Sequence, residues 1–419
     1  MRILVYGLNH APELTGIGKY TGEMTQWLAG RGHQVRVVTT PPYYPAWKVS
    51  QGYRALGYTV ENLDGAKVYR CPLFVPSQQS GVKRMLHLLS FACGSLPVML
   101  AQRAWRPQII FTVEPAFFGA PVALLATSVV GAAAWLHVQD FEIDAAFDLG
   151  LLPSGGAIHR FALAFERFFT RRFDRVSSIS RNMVQRSLAK GVSPEKAVLF
   201  PNWVDTEVIH PLSGENPLRR DLGIGDDKVV MLYSGNMGLK QGLEALAPLA
   251  RHFSTEAHAH FIFCGDGTFR PQLEEMVRGM GNVSLLPLQP LDRLNVLLNA
   301  ADIHLLPQRA DAADLVMPSK LTGMLASGRP VVATAAAGTQ VADVVSGCGI
   351  AVPAEDFDAV CAAIKLLLED ADLRRGLGHA AREYAVQHLG RDQVLLQFEA
   401  EIEALGASVA VSRGTRDRP

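Results

Sequence analysis

Short apolar runs alternate with helical segments along almost the whole chain, and that alternation selects a parallel sheet covered by helices on both faces. In the first half ILVYGL, QVRVVTT, VYRCPL, IIFTV, AAAWLHV, VSSIS and AVLFPNWV read as strands. The segment from Tyr20 to Arg31 reads as a helix with Tyr20, Met24, Trp27 and Leu28 on one face, and Ile158 to Phe173 as another. Asp205 to Asp227 carries His210-Pro211, Gly214, Asn216-Pro217, Gly223 and Gly225, a density of turn formers that marks a linker. The alternation then resumes with VVMLYSG, AHFIFCGDG, VSLLPL, ADIHLLP, RPVVAT and GIAVP. The expected organisation is α/β, two Rossmann-like doubly wound domains over residues 1–208 and 209–390. A terminal helix at 391–405 would pack back on the first, and a disordered tail would fill 406–419. Two such sheets place a cleft between their carboxyl ends, so functional residues are sought just after strands.

Composition narrows the classes. The 419 residues are 48% hydrophobic with a formal net charge of zero, which removes the electrostatic footprint of a nucleic-acid binder. The cysteines, Cys71, Cys93, Cys264, Cys348 and Cys361, are widely spaced and odd in number, as suits a reducing cytosol. MRILVYGL is too short for a signal-peptide core and reads as the first strand of a cytoplasmic domain. Met85 to Gln102 is apolar but interrupted by His87, Ser90, Gly94, Ser95 and Pro97, and it is flanked by Lys83, Arg84, Arg103 and Arg106. Two readings stand for residues 83–106: a buried core helix, or a helix on the anionic inner face of a membrane.

Chemistry-bearing residues fall after strands. LYSGNMGLKQG ends a buried strand in Ser234-Gly235-Asn236, where the missing side chain at Gly235 lets backbone N–H groups approach a ligand, and Lys240 adds a cation. That combination suits a diphosphate. The loop NHAPELTGIGKYTGEM offers Glu13, Gly16, Gly18 and Lys19, and its glycines would let backbone come close to a ligand held by the other domain. Strand two ends without an acid for a ribose hydroxyl, so NAD binding is not expected. His137 and Asp140 stand at the end of AAAWLHV. A histidine there can serve as acid or base, or remain a satisfied core residue. No second histidine lies at ligand spacing, so no metal is expected. In RADAADLVMPSKLTGMLASGRPVVAT, Ser319 is placed to cap a helix beside Lys320, and Asp314 could bond sugar hydroxyls. For Lys320 the plain alternative is a solvated helix lysine.

At these motifs the chain resembles the family-4 glycosyltransferases, whose architecture of two Rossmann-like domains is called GT-B. The resemblance runs from Met1 to about Leu405 and rests on LVYGLNHAPELTGIGKYTGEM, YSGNMGLKQG, FCGDG and SKLTGMLASGRPVVAT. PPYYPAW, FPNW and PSKLT narrow it to exopolysaccharide enzymes of the colanic-acid type that include a fucosyltransferase. The resemblance implies transfer of a sugar from a nucleotide diphosphate sugar, GDP-fucose in the narrow case, to a lipid-linked oligosaccharide, with retention and without a bound metal. It also implies that Lys240 neutralises the leaving diphosphate, Gly16 and Gly18 approach it from the other domain, and His137 lies near the transferred sugar. Two departures stand out. Of the family's E-x7-E acids, Asp314 lies near the first position and Gly323 occupies the second, and Asn236 stands where relatives carry arginine. The other readings are a nucleotide-sugar 2-epimerase of similar build and a non-catalytic sugar-nucleotide-binding partner in polysaccharide assembly.

Overall fold

The computed structural model describes residues 1–77, 81–114, 118–141, 156–238, 241–309 and 318–416. The chain divides into two compact units, Met1–Pro201 with Leu395–Pro419, and Asn202–Val394. The first junction therefore falls just ahead of the expected linker rather than at Val208, because Val204 already pairs with Gly390 inside the second unit.

The first unit holds an eight-stranded sheet, ordered β3-β4-β2-β1-β5-β6-β7-β8. Its strands are β1 (Arg2–Gly7), β2 (Gln34–Thr39), β3 (Thr59–Leu63), β4 (Ala66–Arg70), β5 (Ile109–Glu114), β6 (Ala133–Val138), β7 (Arg175–Ser178) and β8 (Ala197–Leu199). Every pairing is parallel except β3 with β4, a hairpin turning at Asp64-Gly65. The second unit holds a wholly parallel six-stranded sheet, ordered β11-β10-β9-β12-β13-β14. These strands are β9 (Val229–Ser234), β10 (Ala259–Cys264), β11 (Val283–Leu286), β12 (Ile303–Leu306), β13 (Val331–Thr334) and β14 (Gly349–Val352). Chain direction across this sheet reverses between β9 and β12, which opens a crevice beyond their carboxyl ends.

The apolar runs fill the sheet interiors. β6 and β9 are buried along their whole length, as strands covered on both faces must be. Tyr20, Met24 and Leu28 of the helix Gly16–Gly30 lie in the core, giving that helix its one apolar face. The helix Gly81–Ala101 buries His87, Leu88, Phe91, Ala92, Ser95 and Met99 but leaves Val82, Met85, Leu86 and Leu89 exposed. With the turn that follows, Gly81–Ala104, it is the one helical stretch among the described residues long and apolar enough to cross a membrane by length and composition.

The last helix, Arg391–Arg416, continues well past Gly406, where a disordered tail was expected. No proline interrupts the chain before Pro419, and Leu395, Phe398, Ile402 and Leu405 commit the helix to the first unit's core. Phe398 stacks on Phe200 at 4.1 Å and meets Phe111 and Trp135 edge-on at 5.0 and 5.3 Å. Glu399 is gripped by His33 at 2.7 Å and by Arg31 at 3.2 Å. Phe398→Ala should lower unfolding free energy by about 3–5 kcal/mol in urea titration, the cost of emptying a packed aromatic site. A loss below about 1 kcal/mol would mean that the helix does not complete this core.

Candidate functional site

In the second unit the loops after β9 and β10 pack backbone against backbone. Gly235 N–H donates to Cys264 O at 3.0 Å, Gly265 N–H to Leu286 O at 3.2 Å, and Met237 N–H to Asp266 O at 2.7 Å. A Cβ on Gly265 would stand 1.9 Å from Gly235 O, and one on Gly267 2.5 Å from Met237 O. Both glycines also have φ near +150°, as does Gly235 at +135°, so no other residue fits without moving the loops. Arg270, which sequence reasoning passed over, donates to Gly265 O and to Leu286 O and fastens the turn from below. Tyr233 O–H donates to Asn236 O at 2.7 Å, so Asn236 shapes the loop through its carbonyl.

Lys320 reaches this floor from the start of the helix Lys320–Ala326. Its Cδ would lie 3.5 Å from a Cβ on Gly235, and its Nζ lies 4.4 Å from the centre of the Tyr233 ring. Part of the residue remains accessible, but Nζ is shielded and has no hydrogen-bond partner among the described residues. Burial lowers its pKa to about 7. The solvated-lysine reading is thus overturned: this is a cation held out of water at the β9–β12 crevice with no counter-charge among the described residues. Ser319 does not cap the helix. Its backbone is already helical (φ −58°, ψ −26°) and its side chain accepts no cap hydrogen bond. Lys240 and Asp314 lie outside the described residues.

In the first unit, a pocket of about 330 Å³ opens beyond the ends of β1, β2 and β6, lined by residues that include Asn9, Gly16, Tyr44, Trp47, Arg84 and Asp140. Gly16 opens its helix at φ +60°. The Tyr44 hydroxyl is pushed up, first by burial and then by the charges of Asp140 and Glu13, with Arg84 opposing, so these groups converge on one space. Tyr44 and Trp47 carried no signal in sequence beyond the PPYYPAW string, and Arg84 stood out only as a basic flank of the apolar stretch that follows it.

Two expected residues turn out to be structural. Gly18 is buried against Glu13, where a Cβ would stand 2.6 Å from both Cβ and Oε2, so its missing side chain makes room for that carboxylate. Glu13 in turn accepts from Asn9 Nδ2 and from the backbone N–H groups of Tyr43 and Tyr44, all at 2.9 Å, and so ties the β1 and β2 loops together. Burial still raises its pKa against these bonds. His137 is a satisfied core histidine rather than an acid or base. It is enclosed, Nδ1 lies 2.9 Å from Ser177 Oγ, Nε2 lies 3.0 Å from the Gln139 amide, and Phe111 and Phe200 flank the ring. Burial drops its pKa to about 3, so it stays neutral. Among the described residues one trio, His33, Glu399 and Glu403, could bring ligand atoms within 4.8 Å of one another. Arg31 and the Met1 amino group already occupy Glu399 and His33, so this is an ion-pair clamp.

Family models match both units: one described as Glycosyl transferase 4-like domain over residues 15–203, and one described as Glycosyl transferases group 1 over residues 228–370. The chain is 44% identical to WcaI of Escherichia coli (strain K12), a glycosyl transferase assigned to colanic acid biosynthesis, over 96% of this chain and 100% of that one. Sucrose-phosphate synthase from Thermosynechococcus elongatus superposes with a TM-score of 0.76 at 18% identity, covering 97% of this chain and 99% of its own. Anabaena Alr3699/HepE in complex with UDP superposes at 0.69 and 15% identity, covering 96% and 100%. The fold is GT-B.

The buried ammonium sets a pH signature. The unfolded chain holds the Lys320 proton up to its ordinary value of 10.5, whereas the folded chain releases it near 7. Between those values the unfolded state binds more protons, so stability rises with pH. Wild type should gain unfolding free energy from pH 7 to pH 9 relative to Lys320→Met, measured by urea titration of both. Parallel pH curves would show that Nζ finds a partner in solution.

Proposed function

Because this chain belongs to the glycosyl transferase family whose halves are the 4-like and group 1 domains, and is therefore a glycosyltransferase, we propose that it uses a nucleotide diphosphate sugar to extend a lipid-linked oligosaccharide. The product would be an exopolysaccharide of colanic-acid type, with GDP-fucose as donor on the narrower likeness to WcaI. HepE binds UDP on the same fold, which supports a nucleotide as part of the donor.

The observation that carries the donor assignment is Lys320: a shielded cation with no hydrogen-bond partner among the described residues, beside a glycine floor shaped for close backbone approach. A diphosphate supplies the missing charge, and charge developing on it as the glycosidic bond breaks is stabilised most where water is excluded. Lys240, which follows the β9 loop in sequence, is the second cation proposed for that task. Lys320 and Lys240 would together supply the charge a divalent ion could bring, so transfer is proposed to need no metal, and retention is proposed on the likeness to the family. In the first unit, Trp47 and Tyr44 offer aromatic faces, and Arg84 and Asp140 offer polar groups, for the acceptor's sugar. Exposed Val82, Met85, Leu86 and Leu89 beside Lys83 suit contact with an anionic membrane carrying that acceptor.

Diphosphate binding must recharge Lys320, so above pH 7 it takes up a proton. GDP or UDP affinity should then weaken by up to about tenfold per pH unit between pH 7.5 and 9, and calorimetry in buffers of different ionisation enthalpy should register the uptake. Lys320→Met should abolish both the slope and most of the binding. Lys240→Ala should stay folded and lose most turnover, and EDTA should leave turnover unchanged. Slope and proton uptake surviving in Lys320→Met would remove the donor assignment, and acceptor-independent conversion of the donor would favour an epimerase.

A further inference from the structure

A second cavity, about 560 Å³ in volume, lies at the amino ends of the second unit's strands, where Asp302 leads into β12 and Arg329-Pro330 into β13. Its floor is fixed by glycines. Gly328 (φ +70°) packs so closely that a Cβ would stand 2.8 Å from Pro211, and a Cβ on Gly378 would stand 2.4 Å from Gly328 O. The helix Ala371–Tyr384 thus crosses directly on the turn before β13 and forms one wall.

Arg329, Arg374, Arg375 and Arg382 line this cavity, against one lining carboxylate, Asp302. That carboxylate is already taken: its Oδ2 accepts from Arg219 at 2.6 Å and from Val230 N–H at 2.8 Å. Arg382 is spent on the carbonyls of Thr206, Ile209 and Ala326 and holds the floor in place. Arg374 uses Nη1 on the carbonyls of Leu367 and Leu368, and no hydrogen bond of its Nη2 or Nε is formed among the described residues. Arg329 makes no hydrogen bond or ion pair among them, and its Nε is shielded from solvent. Burial lowers its pKa, yet a guanidinium stays charged. A donor withdrawn from water with no acceptor is a standing cost that an anion would remove.

We propose that this pocket binds a small phosphorylated sugar, with Arg329 and Arg374 on the phosphate and the glycine-proline floor under the sugar ring. Guanidinium forks match phosphate oxygens in pairs. The volume lies in the range of small-molecule sites and is larger than a bare phosphate needs. The site stands on residues separate from the loops after β9 and β10, so it survives or falls independently of the donor assignment.

The test is calorimetric titration of the full chain with glucose 6-phosphate, inorganic phosphate and phosphatidylglycerol vesicles. Glucose 6-phosphate should bind at least about tenfold more tightly than inorganic phosphate. The double substitution Arg374→Gln/Arg375→Gln, with a melting curve to show that losing the Arg374 bonds to Leu367 O and Leu368 O leaves the fold intact, should weaken it by about tenfold or more while UDP and GDP binding stay as in wild type. Arg329→Gln should do the same, with a melting curve to check its fold. Binding that survives the double substitution, equal affinity for inorganic phosphate, or arginine-dependent binding to vesicles alone would each overturn the proposal.

Discussion

The approach of residue 265 to the carbonyl of Gly235 governs the second unit's working edge. With no room for a methyl group between those backbones, the loops after β9 and β10 close into a single surface that side chains cannot cover. That bare surface gives Lys320 its position against Gly235 and Tyr233, and it leaves backbone dipoles, rather than mobile side chains, to meet a ligand. Arg270 shows the same logic from beneath, spending its guanidinium on carbonyls of the turn.

How the molecule treats buried charge separates framework from function. In the first unit Arg70 meets Glu61 and the carbonyls of Ala11 and Thr40, Glu13 accepts three hydrogen bonds, and Lys190 pairs with Glu166. Those groups brace loops and have nothing left to offer. In the second unit, the shielded cationic nitrogens without a partner among the described residues belong to Lys320 and Arg329, one beyond the carboxyl ends of the strands and one at their amino ends. An unpaired interior charge is tolerated where something else supplies its counter-charge for part of the time.

The fold was largely legible because its strands are buried on both faces and so read as unbroken apolar runs; VVMLYS and AHFIFC are examples. The hairpin TVENLDGAKVYR was only half seen. Its Asp-Gly turn is a hairpin signal, but β3 lies largely exposed at the sheet's edge and shows no apolar pattern. Sites were less legible, since burial is not a local property. His137 and Lys320 both stood out as candidates after or near strands. Only packing decided that the first is enclosed between Phe111 and Phe200 and the second is a shielded cation with no partner among the described residues. The arginine pocket gathers residues from positions 211 to 382, a convergence no spacing pattern announces.

The last helix has a consequence for how the chain is made. Phe398 and its neighbours complete a core whose other walls are formed by residues up to Phe200. The second unit is continuous in sequence, from Asn202 to Val394, and holds all of its own strands. Domains usually mature in the order of synthesis, but here the first unit must wait for a helix made after the whole of the second. During translation the N-terminal sheet stands with one aromatic face open until Phe398 and its neighbours emerge, and a stop anywhere in the second unit would leave that face uncovered.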